Sequence, residues 1–454
     1  MTFWTNQSVL ALSEGRDPET VAVERAQQLA LEAMSEGWEG PPYDPFDLAE
    51  RLKVPVVARE DLYDARLVPR SDGRLTIEYN PSRPRGRVRY SVAHELAHAL
   101  FPDVSEQVRY RSSPEGMRGD VWQLEMLCNI IASELLMPAG TFPQLTHEAL
   151  DIEHLMAVQR EYDVSTEALL LRVAKLSEQP TTMFASSRVD PDRLDAPLRV
   201  DYWRGTRAWT AALRRGSRLR KASVAYQCTA VGYTARGDER WADGGEFHVE
   251  VVGIPPYPGQ RMPRVVGLLR PQHAVPSPAQ RRIEFVTGNA TLPHGEGARL
   301  IAHVVNDRTP NWGGAFARAL RDEYPVAQEA FRAWARESRD HLRLGSVHFT
   351  EVDSELTVAT MVAQRGYGPS SGARLRYDAL RTALQRMADH ALRLEASVHM
   401  PRIGAGMAGG DWRVIEELID GEVVGRDVPV TVYSLPGASS PSEPAQQALS
   451  LALE

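Results

Sequence analysis

Residues 87–101 read RVRYSVAHELAHALF, and this stretch decides how the first part of the 454-residue chain is interpreted. Its pattern predicts an α-helix. The predicted helix carries His94-Glu95-Leu96-Ala97-His98, in which the spacing of four residues places both imidazoles on one face, as two zinc ligands require. Glu95 lies beside the first histidine, where it can act as the general base toward a water at the metal.

A catalytic zinc site also needs a third protein ligand and an open fourth position. Residues 121–137, VWQLEMLCNIIASELLM, predict a further helix that ends before a proline. Glu125, Cys128 and Asn129 lie on one face of this helix. We expect Glu125 to be the third ligand, because a carboxylate suits a hydrolytic zinc, whereas a thiolate would weaken its Lewis acidity.

The two stretches RVRYSVAHELAHALF and LEMLCNIIASELLMP together resemble the ImmA/IrrE family of bacterial metallopeptidases. The resemblance covers roughly residues 20–180. It implies that His94, His98 and Glu125 hold a zinc ion and that Glu95 is the catalytic base. It also implies a protein substrate, typically a transcriptional repressor that binds DNA. The family usually has alanine where this chain has Cys128, a change that leaves the ligand set intact.

Helical patterns and short β-type runs around the two motifs predict a zincin-like domain of helices and a small sheet over residues 1–180. Within it, LMAVQREYDVSTEALLLRV fits either a helical hairpin on the peptidase core, which we favour, or a DNA-binding helix-turn-helix. Residues 178–197 are polar and rich in proline, which predicts a linker. Short strands, including SVAYQCTAVGYTA, predict a small β-rich middle domain over residues 198–275. The tail, residues 437–454, is predicted to be flexible.

Strands and helices alternate from Ile283 to about Leu435, which predicts a three-layer α/β/α fold with a mixed sheet. The predicted fold class is thus a multidomain chain of α+β and α/β parts. Two glycine-containing loops follow predicted strands, one ending in NWGGA and one reading PRIGAGMAGG. Such loops can bring backbone N–H groups up to phosphate oxygens.

These loops, with VTGNAT at the first strand and VTVYSL at the last, resemble a macrodomain, the ADP-ribose-binding fold, over about residues 283–436. The similarity is greatest to the branch that carries HMPRIGxGxxGGxW. It implies that the ligand is ADP-ribose or an ADP-ribosylated macromolecule. The implied binding residues are Asn289, Asn306, Trp312, Gly313, Gly314, Ala315, Ile403, Gly404, Ala405, Gly406 and Met407.

Whether this C-terminal domain is itself an enzyme depends on a few positions. Hydrolases of the branch use a lysine and, in some members, an aspartate where this chain has Gln364 and Ala408. A glutamine cannot act as a nucleophilic amine, so lysine-based hydrolysis is not expected. Asp411 and His303 stay open as acid–base groups, although Asp411 also fits the cap of a helix that begins at the next residue.

Residues 202–221, YWRGTRAWTAALRRGSRLRK, hold seven cations and no acid, interleaved with Tyr202, Trp203 and Trp209. One interpretation is a surface that binds phosphates and stacks on bases, which makes nucleic acid an alternative partner. The other, which we favour, is the solvated edge of a small β domain beside an acidic neighbour. The sequence leaves both open.

Composition restricts the remaining classes of protein. The chain is 43% apolar and 25% charged, and it has no apolar run near the ~20 residues of a membrane span, so no membrane partner is expected. The first residues lack a secretory pattern, which predicts a cytoplasmic location. With only Cys128 and Cys228, a disulfide framework is excluded. A net charge of −8 argues against a protein whose whole surface binds nucleic acid.

Two functional hypotheses follow. The first is a zinc-dependent metalloendopeptidase that cleaves a regulatory protein, with a macrodomain that senses ADP-ribose or directs the enzyme to ADP-ribosylated targets. The alternative is an ADP-ribose-processing hydrolase, or a non-proteolytic reader of ADP-ribose, in which the zinc domain is regulatory.

Overall fold

The computed structural model describes residues 4–70, 72–104, 109–110, 120–138, 141–142, 151–177, 179–206, 209, 213–241, 245–257, 259–272, 283–368 and 372–435. The chain forms two compact units, residues 1–280 and 281–454, and each is described by itself. The predicted fold class is confirmed, since a mixed helix-and-sheet unit is followed by an alternating α/β unit. The finer domain boundaries stay predictions, and the tail at 437–454 lies outside the described residues.

The first part of unit 1 combines helices with a small four-stranded sheet of order β1-β3-β2-β4. Strands β1 and β3 are parallel, whereas β2 is antiparallel to both β3 and β4. The elements are α1 (Gln7–Ser13), α2 (Pro18–Ser35), α3 (Pro45–Arg51), β1 (Val56–Ala58), β2 (Ala65–Pro69), β3 (Leu75–Tyr79), α4 (Arg85–His98), β4 (Arg109–Tyr110), α5 (Val121–Leu136), α6 (Ile152–Tyr162) and α7 (Thr166–Leu176).

The helices α4 and α5 pack against each other, and α4 also contacts β2 and β3. Val92 and Leu96 of α4 and Leu127 and Ile131 of α5 are fully buried. Burying such side chains contributes about 1.5–3 kcal/mol each, so the pairing of the two helices belongs to the stable core. The two predicted motifs therefore lie on neighbouring helices held by one apolar core.

A second, five-stranded antiparallel sheet of order β6-β5-β9-β8-β7 follows in the same unit. Its strands are β5 (Thr182–Arg188), β6 (Leu198–Gly205), β7 (Thr234–Arg240), β8 (Glu246–Ile254) and β9 (Arg264–Pro271). The core on one face contains Phe184, Val249 and Val251, all at 0% exposure.

The linker predicted at residues 178–197 is wrong in its first half, because β5 is a wholly buried inner strand of this sheet. Its small polar side chains are satisfied inside the fold. Ser186 Oγ donates to the carbonyl oxygen of Val265 at 3.1 Å, and Ser187 Oγ donates to Asp201 at 2.8 Å. Hydrogen-bonded hydroxyls can be buried at little cost, so composition alone misrepresents this segment.

The strand predicted at SVAYQCTAVGYTA is also misplaced. Val224–Gln227 form a 3-10 turn in which the side chain of Ser223 accepts the amide of Ala225, and the strand β7 begins only at Thr234. Glu239 fixes the turn by accepting hydrogen bonds from Ser223 Oγ at 3.0 Å and from the amide of Val224 at 2.7 Å. These bonds come from a distant strand and override the local β propensity.

Helices α6 and α7 form a hairpin, and α7 contacts other elements of the unit on two sides. Arg172 of α7 pairs with Glu134 of α5, and both side chains are at most 1% exposed. Glu167 of α7 accepts two hydrogen bonds from Arg264 of β9, at 2.7 and 3.1 Å. The helix is thereby held between α5 and the second sheet, which favours the helical hairpin over a helix-turn-helix that enters DNA.

Unit 2 contains a six-stranded mixed sheet of order β10-β15-β14-β11-β13-β12. All neighbouring strands are parallel except β12, which is antiparallel to β13 at one edge. The elements are β10 (Glu284–Thr287), β11 (Arg299–Asn306), α8 (Ala315–Glu323), α9 (Pro325–Glu337), β12 (Val347–Glu351), β13 (Leu356–Gln364), α10 (Tyr377–Leu394), β14 (Ser397–Pro401), α11 (Trp412–Glu422) and β15 (Val430–Ser434).

Strand β13 shows that helices cover both faces of the sheet, as the three-layer prediction requires. Its residues from Leu356 to Ala363 are all buried, although neighbouring side chains of a strand point to opposite faces. One face packs with Leu320 and Phe331 of α8 and α9, while α10 packs on the other side of the strand. A sheet with helices on both faces requires such an unbroken apolar strand.

Candidate metal centre and nucleotide cleft

Helices α4 and α5 bring His94, His98 and Glu125 together. Nε2 of His94 lies 3.1 Å from Oε2 of Glu125, and Nε2 of His98 lies 3.4 Å from Oε1. Two atoms that bind one tetrahedral zinc ion stand roughly 3.3 to 3.6 Å apart, given bond lengths of about 2.0–2.2 Å. The contact of His98 with Glu125 lies within this range and that of His94 lies about 0.2 Å below it, so both histidines stand close to the separation that a shared metal ion requires.

The centre is deeply buried and its carboxylate is charged. His94, Glu95 and His98 have 0% exposure and Glu125 has 5%. Burial by itself would raise the pKa of Glu125, but hydrogen bonds from His94 and His98 outweigh burial and lower that pKa to about 2. An ionised carboxylate and two imidazoles together form a donor set that suits a divalent cation such as zinc.

The other ring nitrogens of the two histidines have partners of their own. Nδ1 of His94 lies 3.1 Å from Oδ1 of Asn129, which also accepts a hydrogen bond from the hydroxyl of Tyr90 at 2.8 Å. Nδ1 of His98 lies 3.3 Å from Sγ of Cys128. When the Nδ1 atoms are engaged in this way, each ring is oriented with its Nε2 toward Glu125.

Two alternative ligand sets share this centre. The ligand atoms of His94, His98 and Cys128 also lie within 4.8 Å of one another, so a His-His-Cys set could hold a metal ion. We favour Glu125 over Cys128, because the sulfur contacts Nδ1 of His98, whereas Glu125 contacts the Nε2 atoms of both rings. Cys128 then orients a ligand rather than serving as one.

The sequence missed the orienting role of Tyr90 and Asn129. A signal was present, since Tyr90 precedes His94 by four residues and Asn129 follows Glu125 by four. Residues four apart on a helix share a face, so each lies one turn from a predicted ligand. Only the packing of α4 on α5 shows that these two turns meet.

In unit 2, the two predicted glycine loops follow strands β11 and β14, which are neighbours in the sheet. From this pair the chain continues in opposite directions, from β11 to β12 at one edge of the sheet and from β14 to β15 on the other side. In open α/β sheets, ligands bind at the carboxyl ends of the strands at such a switch point. The fold therefore places both loops at the same end of the sheet, beside the switch point.

The residues of the first loop have three different roles: one forms a turn, one packs in the core, and the others lie at the open start of a helix. Oδ1 of Asn306 accepts the amides of Arg308 and Thr309, both at 2.9 Å. Trp312 is 3% exposed and packs in the core, so we expect its backbone, not its ring, to face a ligand. Gly313 and Gly314 have open space where a side chain would be, and Ala315 begins α8.

The second loop is a tight turn around Leu375. Gly404 has φ +72°, and a Cβ there would stand 2.9 Å from a methyl carbon of Leu375. A Cβ at Gly410 would stand 2.5 Å from the same residue. Within the described residues, the amides of 404–407 donate no backbone hydrogen bond, so they can face an anion. The exposed members of this stretch are Gly406 and Met407, whereas Ile403 is buried and Ala405 is half-buried.

Asn289 follows the carboxyl end of β10, which is the strand at one edge of this six-stranded sheet. Its side chain is exposed, and its Oδ1 accepts the amide of Thr291 at 3.0 Å. Asn289 therefore shapes a turn at this edge, and its adenine contact stays a prediction.

The residues considered for catalysis in unit 2 have structural roles. Gln364 donates to the carbonyl oxygen of Gly366 at 2.8 Å, and Ala408 offers no acid. Asp411 caps α11 by accepting the amide of Arg413 at 2.9 Å. His303 is buried beside Trp312, and burial lowers the pKa of His303 to about 3, so this ring stays neutral.

Comparison with known proteins assigns both parts of the chain. Residues 49–174 match the family model of the IrrE N-terminal-like domain, Peptidase_M78. A macrodomain protein from Streptomyces coelicolor is 44% identical over 34% of this chain and 99% of its own, with a TM-score of 0.30. A protein of unknown function from Bacteroides thetaiotaomicron is 40% identical over 34% of this chain and 98% of its own, with a TM-score of 0.32.

A curated relative, the chromodomain-helicase-DNA-binding protein 1-like of Mus musculus, is 28% identical over 163 residues, which is 34% of this chain and 18% of that protein. The chain thus spans less than a fifth of the length of this relative. Membership of the macrodomain family rests on the 44% identity to the Streptomyces coelicolor protein over nearly all of that protein's length. In the described part of the chain, no helix combines the length and the apolar character needed to cross a membrane.

Proposed function

We propose that this chain, which belongs to the macrodomain family and also carries an IrrE N-terminal-like peptidase domain, is a zinc-dependent endopeptidase whose macrodomain binds ADP-ribose. The observation that carries the peptidase proposal is the contact of both Nε2 atoms with one carboxylate, Glu125. His94, His98 and Glu125 would hold the metal. When bound there, a zinc ion would act as a Lewis acid and would lower the pKa of a water molecule toward about 7.

Glu95 is the residue that moves the proton. It follows a ligand on α4 and is fully buried in the same region. In the proposed reaction Glu95 accepts a proton from the water that attacks the scissile carbonyl carbon. It then donates that proton to the leaving amine, so that one peptide bond and one water give a carboxylate and an amine. Tyr90 and Asn129 keep His94 oriented throughout.

The macrodomain is proposed as the part that recognises ADP-ribose, free or attached to a macromolecule. Support comes from the two loops at the switch point, whose free amides and open glycines suit a diphosphate. The neutral, buried His303 and the capping role of Asp411 support a reader rather than a hydrolase. We propose that it directs the peptidase to an ADP-ribosylated regulatory protein, for which a transcriptional repressor is the leading candidate.

The test of this pair of activities is a titration of the purified chain with ADP-ribose, together with elemental analysis of the same sample. We expect about one zinc per chain and micromolar binding of ADP-ribose. Either result can be obtained without the other, because the two sites belong to separate units. Zinc without ADP-ribose binding would contradict the reader and leave the peptidase standing. ADP-ribose binding with no zinc retained would contradict the peptidase and support a non-proteolytic reader.

A further inference from the structure

The first unit exposes a cluster of five cations that the peptidase proposal does not use. We call it the arginine patch: Arg214, Arg215, Arg218, Arg220 and Lys221, all exposed. Within the described residues, no carboxylate oxygen lies within 4.0 Å of any of these cations. The acidic neighbour that a purely solvated edge would need is thus missing from the described part of the unit.

Some other exposed arginines of the chain are ion-paired, so the patch is distinguished by the clustering of its unpaired cations rather than by the lack of partners alone. Arg16 pairs with Glu24 at 2.6 Å, Arg59 with Asp61 at 2.9 Å and Arg193 with Asp195 at 2.6 Å. A protein of net charge −8 has carboxylates in excess, yet none of the described ones is placed at the patch. The patch is therefore a local region of uncompensated positive charge.

The backbone holds the patch in place along the edge strand β6. The amide of Val200 donates to Ser217, and the amide of Leu219 donates to Leu198, both at 2.9 Å. Leu219 is 8% exposed and points into the core, while Arg218 and Arg220 on either side of it point outward. This alternation is that of a strand, so the guanidinium groups stand on a rigid support.

One arginine of the patch also lies opposite another arginine, and the two like charges repel each other. Arg218 is bridged directly opposite Arg199 of β6, and both side chains are exposed. Like charges that face each other across antiparallel backbones are destabilising. Arg199 is relieved in part by Asp201 at 3.8 Å, whereas Arg218 has no such partner among the described residues. An external anion would relieve this repulsion.

The aromatic residues of the same segment face inward. The hydroxyl of Tyr202 donates to Glu167 of α7, and Trp203 packs on the core of the second sheet. Trp209 packs on the same core, with its ring centroid 5.3 Å from that of Phe247. All three side chains are half-buried and engaged by the core or by Glu167, so none is fully exposed for stacking on unpaired bases. The segment therefore presents charge without a fully exposed stacking platform.

We infer that the arginine patch binds the phosphate backbone of double-stranded nucleic acid without reading its sequence. In a duplex the bases are stacked inside and the phosphates face outward, which matches a surface with fully exposed cations and only half-buried aromatic rings. Single strands and ADP-ribose polymers expose their bases, and they would gain little here beyond charge. This surface lies in unit 1 and does not depend on the proposed ADP-ribose site.

The experiment is a fluorescence-anisotropy titration of the full-length protein with a labelled DNA duplex of about 20 base pairs, at several salt concentrations. If four phosphates are neutralised, the slope of log K against log salt is about −3.6, and affinity falls roughly 100-fold between about 50 and 200 mM salt. The variant with Arg214→Gln, Arg215→Gln, Arg218→Gln and Arg220→Gln should lose most of that slope and at least about 10-fold in affinity at the lowest salt.

The control carries Arg16→Gln, Arg59→Gln, Arg193→Gln and Arg413→Gln, which change the net charge equally at ion-paired exposed sites. We expect it to bind the duplex like the unaltered chain. The inference is wrong if the unaltered protein does not bind the duplex, or if both variants weaken equally. It is also wrong if an unpaired strand of the same length competes as well as the duplex, since the surface would then recognise charge alone.

Discussion

Replacing Glu95 with glutamine is expected to lower peptide hydrolysis by roughly 100- to 10,000-fold while leaving the metal content unchanged. Glutamine has nearly the same shape as glutamate but cannot accept the proton of the attacking water. The ligands His94, His98 and Glu125 are unaltered, and the contacts between them join the imidazole Nε2 atoms to the carboxylate of Glu125. The loss should therefore appear in the rate and not in the binding of zinc.

The measurement is cleavage of a proteome-derived peptide library by the unaltered chain and by the variant, followed by mass spectrometry, with zinc determined on the same samples. Glu161→Gln is the matched control, because Glu161 is exposed at the end of α6 and the change in charge is identical. The control should retain both zinc and cleavage. Unchanged cleavage by the Glu95 variant would remove Glu95 as the base.

Replacing Gly406 with aspartate is expected to weaken ADP-ribose binding by at least about 100-fold. The new carboxylate would stand in the loop whose free amides are proposed to hold the diphosphate, and like charges brought together in this way cost several kcal/mol. Space for the side chain exists, since nothing lies within 4 Å of a Cβ built at Gly406. The variant should therefore fold normally.

Titration calorimetry with ADP-ribose measures this effect, and thermal unfolding of the same samples checks the fold. Gly421→Asp is the control, because Gly421 is an exposed glycine near the end of α11, with the same open space around its Cβ. It should bind ADP-ribose as the unaltered chain does. If the Gly406 variant binds equally well, the loop at 403–410 is not the diphosphate site.

The sequence was most informative where chemistry and helix periodicity coincide. His94, Glu95, His98 and Glu125 could be selected from two short stretches, because residues four apart share a helix face and the two helices pack on one apolar core. The alternating α/β pattern likewise predicted unit 2 with its strands in the correct places. These features depend on local spacing, which a sequence displays directly.

Features that depend on distant partners were missed or misread. Strand β5 looked like a linker, since Ser186 and Ser187 become suitable for a core only when Val265 and Asp201 accept their hydrogen bonds. The ligand contact of Trp312 stays a prediction, but the burial of its ring in the core was not predicted and follows from the packing of α9 on the sheet. No local pattern encodes such contacts.

The central claim is that a hydrolytic metal is held by two imidazoles and Glu125, with Cys128 outside the ligand set. X-ray absorption at the zinc edge of the purified, zinc-loaded chain tests it most directly. We predict nitrogen and oxygen neighbours at about 2.0–2.2 Å and no sulfur neighbour. A sulfur neighbour at about 2.3 Å would show that Cys128 is a ligand and would contradict the assignment of Glu125.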